Sequence, residues 1–188
     1  DRPDVRRLVG NIYRGKVDAV LPGIQAAFVD IGLGKSAFLH ASDLIEPEDD
    51  EEVEEDEGNG RSRGGVGGGP RKLPNIQDLV KRGGTILVQA TKEAIGTKGP
   101  RVTAQISLAG RYLVYLPFAS RVGVSRKIES REERTRLRQI VAQHLTKDSG
   151  GVIIRTVAEG ATEEQLKRVM ESLLGLWKKV KRKATFVR

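Results

Sequence analysis

The stretch Gly10-Asn-Ile-Tyr-Arg-Gly-Lys-Val-Asp-Ala-Val20 favours a β-strand with a bulge at Gly15, and it sets the fold of the first half of this 188-residue chain. A Pro-Gly pair at 22–23 marks a turn. Residues 25–31 and 36–40 predict two further strands, separated by a tight loop at 32–35. After an interruption, residues 75–80 predict a short helix, and residues 85–92 and 101–106 a fourth and a fifth strand. Five short strands predict a five-stranded OB-type barrel over residues 10–106, the recurrent fold for oligonucleotide binding.

The remainder, residues 107–188, predicts a small α+β domain, so the fold class is mainly β with α+β. Residues 112–116 and 151–156 predict strands. Ser130-Arg-Glu-Glu133 and Thr162-Glu-Glu-Gln165 match capping boxes that open two helices. Apolar residues recur at helical spacing in both helices, and we expect them in the core. They are Leu137, Ile140, Val141 and Leu145 in the first helix, and Leu166, Val169, Met170, Leu173, Leu174, Trp177 and Val180 in the second.

The charge of the chain is segregated. The formal net charge is +8, but residues 46–57 hold ten carboxylates and no Lys or Arg. The other 176 residues carry 33 basic and 15 acidic side chains, a net charge of +18. This excess of positive charge indicates a polyanionic partner. The alternative is a soluble basic protein with no such partner.

Residues 45–72 predict a disordered insertion between the third and fourth strands. Their acidic half repels itself, and residues 58–69 contain seven of the 22 glycines, so the segment buries too little apolar surface to fold. A solvated surface insertion is one interpretation. An acidic segment that competes with RNA for the basic surface is the other.

Cysteine is absent, which excludes disulfides and thiolate metal sites and suits a cytoplasmic location. No run of about 18 apolar residues is present, so we expect no membrane partner. The first residues lack the apolar stretch of a signal peptide. Because the chain begins without Met, we expect it to be cut from a longer protein.

Two phenylalanines are the strongest candidates for contact with a ligand. Alternation places Ala27, Val29 and Ile31 on one face of the second strand and Phe28 on the other, while Phe38 opposes Ala37 and Leu39 in the third strand. Aromatic rings displayed on adjacent strands of a basic barrel suit stacking with the bases of single-stranded RNA. The alternative is that one or both fill core space. The loop lysines Lys92 and Lys98 are candidates for phosphate contacts, and a lone histidine such as His40 is more often a surface residue.

Several ordered motifs resemble the ribonuclease E/G family. They are Gly10-Asn-Ile-Tyr-Arg-Gly-Lys-Val17, Ala26-Ala-Phe-Val-Asp30, Ala37-Phe-Leu39, Lys92-Glu-Ala-Ile-Gly-Thr-Lys-Gly99, Ile106-Ser-Leu-Ala-Gly-Arg-Tyr-Leu-Val114, Gly123-Val-Ser-Arg-Lys-Ile-Glu129 and Ile153-Ile-Arg-Thr156. The resemblance implies an RNA-binding barrel of the ribosomal S-one type followed by a five-prime sensor domain, with residues 1–9 as the tail of a ribonuclease H-like subdomain. By position, Phe28, Phe38 and Lys98 match the family's RNA contacts.

The resemblance also implies a pocket for an RNA five-prime monophosphate. Gly110, Val114, Arg155 and Thr156 match that pocket, and Arg126 matches a supporting arginine. Without the resemblance, pairing of Arg155 with Glu159 or another surface carboxylate is the simpler interpretation.

The resemblance further implies that the parent protein is a magnesium-dependent, homo-oligomeric endoribonuclease of rRNA processing and mRNA decay. The family's catalytic aspartates lie in a later domain with no match here, so we expect no catalytic residues, metal site or cofactor in this chain. The 15 carboxylates outside the acidic run show no paired strand-borne Asp, and the two histidines offer no evident acid–base pair. A standalone RNA-binding module and a small self-sufficient nuclease are the alternatives.

Overall fold

A computed structural model of this chain describes residues 9–45, 73–94, 98–146 and 148–186. Apart from Val9 and Ile45, the predicted tail at 1–9 and the predicted insertion at 45–72 lie outside these residues. The strands are β1 Ile12–Leu21, β2 Ala26–Asp30, β3 Ala37–His40, β4 Thr85–Lys92, β5 Arg101–Thr103, β6 Leu108–Ala109, β7 Leu113–Leu116, β8 Val122–Val124 and β9 Gly151–Ile154. The helices are α1 Ile76–Leu79, α2 Arg131–His144 and α3 Glu163–Phe186, and short 3-10 turns lie at Pro22–Ile24, Ala41–Leu44 and Thr156–Ala158.

The first five strands form the predicted barrel, closed in the order β1-β2-β3-β5-β4. The pairs are antiparallel except β3 with β5, which is parallel. Alternate residues of each strand fill the interior, as the sequence pattern predicts. These buried residues include Val29, Leu39, Val88 and Val102, each with no exposed surface. Helix α1 closes one end, where the Gln25 side chain accepts a hydrogen bond from the Ile76 amide at 2.9 Å.

The bulge predicted at Gly15 lies elsewhere. Between β1 and β2 the register passes from Val17↔Val29 to Ala19↔Phe28, so Asp18 is the extra residue. Gly15 is required for a different reason. A Cβ atom there would lie 2.3 Å from Val29 Cγ1, so only glycine lets these two strands approach as closely as they do.

Strand β5 is shorter than predicted and ends at Thr103 rather than Ile106. The chain turns there because the Ala104 amide donates to the Asp43 carbonyl at 3.0 Å and the Gln105 amide donates to Thr103 Oγ1 at 3.1 Å. It then enters a four-stranded sheet ordered β6-β7-β9-β8. The sequence did not predict β6 or β8, which have only two and three residues. Helices α2 and α3 pack on this sheet, and Leu137, Val141, Leu166, Met170, Leu173 and Trp177 are buried in the shared core.

Barrel and sheet meet at a junction built around Gln89. Its side-chain amide donates to the carbonyls of Gly10 and Ser107 at 3.1 and 3.0 Å, and its oxygen accepts from the Ser107 amide at 2.9 Å. The barrel residues Ile12 and Leu87 pack against the core of the sheet and helices. This junction fixes the barrel relative to the sheet. The division into two domains after residue 106 stays a prediction.

The predicted box at 162–165 is a reciprocal capping box, whereas at 130–133 only the bond to the N-cap hydroxyl forms. Ser130 Oγ accepts from the Glu133 amide at 3.3 Å, while Thr162 and Gln165 exchange bonds of 3.2 and 2.9 Å. Glu133 also pairs with the Arg136 guanidinium and accepts from the Gly160 amide at 3.0 Å, which ties α2 to the loop before α3. The bond from Arg136, followed by that from Gly160, lowers the pKa of Glu133 from 4.5 to about 2.

The substitution Glu133→Gln is therefore expected to lower the free energy of unfolding by about 1 kcal/mol at pH 7. Because the folded-state pKa is lowered, this stabilisation is present above pH 4.5 and is lost as the pH falls towards 2. Thermal melts of the wild type and the variant between pH 7 and pH 3 should show a gap of a few degrees that narrows with acidity. Glu132→Gln, on the same helical turn, is the matched control, and a gap independent of pH would contradict the prediction.

Candidate nucleic-acid interface

The two phenylalanines singled out from the sequence lie side by side on the outer face of the barrel. Phe28 and Phe38 are direct partners across β2 and β3. Their ring centroids are 6.3 Å apart with the planes at 69°, an edge-to-face arrangement. Phe28 is 37% exposed, and Phe38 is half-buried. Phe28 therefore does not fill the barrel core and presents a ring to solvent.

These rings lie in a groove of about 800 Å³ that is rimmed by cations. Both predicted lysines, Lys92 and Lys98, line it. Gly99, next to Lys98, packs against Ser36 just before β3: a Cβ atom at residue 99 would fall 2.0 Å from the Ser36 carbonyl oxygen. The remaining lining residues are Asp18, Ala19, Lys35, Ser36, Glu93, Gly99 and Arg101. An aromatic floor with ammonium and guanidinium groups at its edge suits a single nucleic-acid strand, whose bases stack and whose phosphates are anionic.

The residues predicted to form a phosphate pocket are gathered mainly at one end of the second sheet. Arg155 follows β9, and its amide donates to the Tyr112 carbonyl at 2.8 Å. Its guanidinium Nη1 donates to the Gly110 carbonyl at 3.0 Å, so the structure joins two of the predicted residues directly. Thr156 Oγ1 lies 2.7 Å from Ser125 Oγ, next to Arg126 in the chain. Arg155 is exposed and Thr156 is half-buried.

Arg155 thus contacts a backbone carbonyl, and the predicted alternative of an ion pair with Glu159 is not what the structure shows. A guanidinium has five N–H donors in a fixed plane. One bond to Gly110 orients that plane and leaves donors for an anion.

Gly110 has a packing role that the sequence did not indicate. A Cβ atom at this position would lie 2.8 Å from Val169 Cγ1 and 3.0 Å from Leu173 Cδ1, both on α3. The space freed by the missing side chain is therefore taken up by α3 and not by a ligand. What Gly110 offers the site is the carbonyl that holds Arg155.

Val114 lies farther from the other predicted residues. It occupies the middle of β7, paired with Ala109 on one side and Ile153 on the other. Its backbone lies inside the sheet, and its half-buried side chain alternates with the buried Leu113 and Tyr115.

The sequence similarity of this chain to known proteins includes both the barrel groove and the end of the second sheet. Residues 107–187 match the sequence profile of the Ribonuclease E/G family. Ribonuclease G of Haemophilus influenzae is 48% identical over 180 residues, covering 96% of this chain and 34% of that protein. Ribonuclease G of Escherichia coli is 46% identical over the same shares, and Ribonuclease E of Nostoc is 38% identical over 96% of this chain and 23% of its own length. This chain belongs to the ribonuclease E/G family.

The alignments with the Ribonuclease G relatives cover 96% of this chain, yet the chain spans only about a third of the length of those relatives. The solution structure of GSP13 from Bacillus subtilis also resembles it, with a TM-score of 0.31 and 18% identity over 50% of this chain and 52% of that one. A likeness that low adds nothing to the assignment of fold or function.

The structure adds residues to both candidate sites that the sequence did not single out. Arg101 lies beside Phe38 because β3 and β5 pair in parallel, and Asp43 holds its guanidinium at 3.2 Å. Lys35 and Asp18 line the same groove. At the end of the second sheet, Arg111 stacks over the Tyr112 ring at 5.2 Å. The sequence offered one signal for them: Arg111 directly follows the predicted Gly110, and Arg101 follows the predicted Lys98 by three residues.

The described residues were compared with the requirements of a metal site and of a membrane-spanning helix, and they meet neither. Within residues 9–45, 73–94, 98–146 and 148–186, no group of three or more His, Asp or Glu side chains is placed to hold a metal ion. Over the same ranges, no helix combines the length and apolar character that a membrane span requires.

Proposed function

We propose that this chain is the RNA-binding and five-prime-monophosphate-sensing portion of an endoribonuclease that acts in rRNA processing and mRNA decay. The observation that carries the proposal is the Phe28–Phe38 pair, with the Phe28 ring exposed, in a groove rimmed by Lys92, Lys98 and Arg101. The names of the relatives, Ribonuclease G and Ribonuclease E, supply the reaction class. The parent protein would act in the cytoplasm as a homo-oligomer, with magnesium bound outside this chain.

In the barrel, one base would stack on the exposed ring of Phe28, and the edge contact from Phe38 would hold that ring in place. Stacking tolerates every base because each has a π-face, so this contact gives affinity. Lys92 and Lys98 would meet the phosphates on either side. The ion pair with Asp43 fixes the orientation of Arg101, whose remaining N–H groups would meet a third phosphate.

At the end of the second sheet, a terminal phosphate would bind between Arg155 and Thr156. The guanidinium can donate to two phosphate oxygens at once, and a hydroxyl can donate to a third. The contacts with Gly110 and Ser125 hold both side chains in place before a ligand arrives. Arg126 and Arg111 would add positive charge nearby. A five-prime hydroxyl end lacks the oxygens that these donors require.

The purified chain is expected to bind a five-prime-labelled single-stranded RNA and to leave it uncut in the presence of Mg²⁺. We expect no cleavage because the carboxylates among the described residues of this chain form no cluster that could hold the metal. Gel-shift and denaturing gels of the same incubation measure both properties. Failure to bind would overturn the proposal. Cleavage that disappears on a point mutation within the chain would show instead a self-sufficient nuclease.

A further inference from the structure

Ser125 begins the turn between β8 and α2, directly beside the candidate phosphate site. Its amide donates to the Ile154 carbonyl at 2.9 Å, which ties the turn to the end of β9. Its carbonyl accepts from the Ile128 amide at 3.1 Å, which closes the turn. Its hydroxyl lies 2.7 Å from Thr156 Oγ1. Each polar group of Ser125 therefore has a partner, and one of these partners is a predicted phosphate-binding residue.

A side chain from α2 holds this turn in place. Arg134 lies near the start of the helix, and its Nη1 donates to the Ser125 carbonyl at 2.9 Å and to the Ile128 carbonyl at 3.3 Å. A guanidinium presents its N–H groups in a fixed plane, so one side chain fixes both ends of the turn. The helix thereby sets the position of Ser125 and of the neighbouring Arg126.

The hydrogen bonds around Ser125 favour one direction for the bond between the two hydroxyls. The Lys127 amide donates to Ser125 Oγ at 3.3 Å, so this oxygen already serves as an acceptor. A hydroxyl has one proton and two lone pairs, and hydrogen bonds in a chain polarise one another. Accepting from Lys127 makes Ser125 a stronger donor to Thr156 Oγ1. A Thr156 hydroxyl that accepts this bond keeps its own proton for a ligand.

We propose that Ser125 and Arg134 are positioning residues of the phosphate site, and that the Ser125 hydroxyl donates to Thr156 so that Thr156 donates to the phosphate. The inference rests on the proposed sensing of a five-prime monophosphate. Neither Ser125 nor Arg134 touches the phosphate in this arrangement. A Thr156 hydroxyl fixed as a donor suits phosphate oxygens, which are strong acceptors. With the opposite direction, Thr156 would present only lone pairs to the site, and these repel an anion.

The test measures the Kd of one RNA octamer with a five-prime hydroxyl or a five-prime monophosphate, by fluorescence anisotropy at fixed salt. Ser125→Ala should lower the preference for the monophosphate roughly two- to fivefold, because Thr156 loses the partner that directs its proton. Any loss of folded protein weakens both RNAs equally and cancels from the ratio. In a Thr156→Val background, Ser125→Ala should leave the ratio unchanged, since both residues act through one hydroxyl.

Arg134→Met keeps the aliphatic stem and removes the donors, so the turn is released and the preference should fall by a similar factor. Arg138→Met removes the same charge one helical turn farther along α2 and is the matched control for charge. Ser149→Ala is the matched control for Ser125→Ala. Ser149 is half-buried in the turn before β9, at the opposite end of that strand, and its hydroxyl also contacts a threonine hydroxyl, that of Thr146. Both controls should keep the wild-type ratio.

An unchanged ratio in Ser125→Ala or in Arg134→Met overturns the inference and leaves phosphate sensing intact. A fall in the ratio that persists in the Thr156→Val background also overturns it, because Ser125 would then act on the phosphate without Thr156. If the wild type binds both RNAs equally, the proposed phosphate sensing fails together with the inference. That result differs from the first two, in which the wild type keeps its preference.

Discussion

Phe28→Ala is expected to weaken the binding of a short single-stranded RNA by about 1–3 kcal/mol, a factor of roughly 5 to 150 in Kd. The ring is 37% exposed on the outer barrel face, and its strand neighbours Ala27 and Val29 are fully buried. Removing it should therefore cost binding far more than folding. Phe38→Ala should weaken binding to a similar extent and also lower Tm, because Phe38 is half-buried and holds the Phe28 ring by an edge contact. Anisotropy titration of a five-prime-hydroxyl RNA measures both variants.

Phe28→Leu is the informative control, because it keeps most of the apolar volume and removes the aromatic face. If stacking accounts for the loss, Phe28→Leu should bind almost as weakly as Phe28→Ala. Lys98→Ala separates charge from stacking, since the loss of one phosphate contact should flatten the slope of log K against log salt by about 0.7. Unfolding of both phenylalanine variants would show that the rings support the barrel and do not serve RNA.

Strand alternation in the sequence was enough to predict the barrel and the orientation of these rings. The alternation of Ala27 and Val29 with Phe28, and of Ala37 and Leu39 with Phe38, indicated the facing, while the register Phe28↔Phe38 came only from the structure. The extra residue in β1 was not predictable, because the sequence offered Gly15 as the obvious irregularity. Close packing against Val29, a contact between distant positions, requires that glycine.

The candidate phosphate site was predictable only in part. The apolar strand at 151–154 indicated that Arg155 and Thr156 lie at its end. The partner of Arg155 is a carbonyl 45 residues away, and no local pattern distinguishes it from the nearby Glu159. Strand β8, three residues long, became visible only in its parallel pairing with β9. That pairing brings Ser125 to Thr156, so a contact of this kind depends on the assembled sheet.

Arg155→Ala is expected to abolish a preference for a five-prime monophosphate over a five-prime hydroxyl. A hydrogen bond to a charged group contributes about 1.5–3 kcal/mol, so the wild type should favour the monophosphate by about tenfold or more. The guanidinium is already oriented by Gly110, which reduces the entropy lost when the phosphate binds. Thr156→Val keeps the shape and removes one donor, so it should lower the preference less. Titrations of one RNA sequence with either end, at fixed salt, measure the ratio of Kd values for each variant.

The two sites can be separated because their variants should act on different quantities. Arg155→Ala should leave the Kd of the hydroxyl-ended RNA within about twofold of the wild type, since that RNA is held by the barrel groove alone. Phe28→Ala should weaken both RNAs and keep their ratio. Arg126→Ala, at an exposed position near the same end of the sheet, should reduce the ratio only modestly, because a supporting charge acts through screened solvent. Equal affinity of the wild type for the two ends would count decisively against phosphate sensing by this chain, whatever the barrel binds.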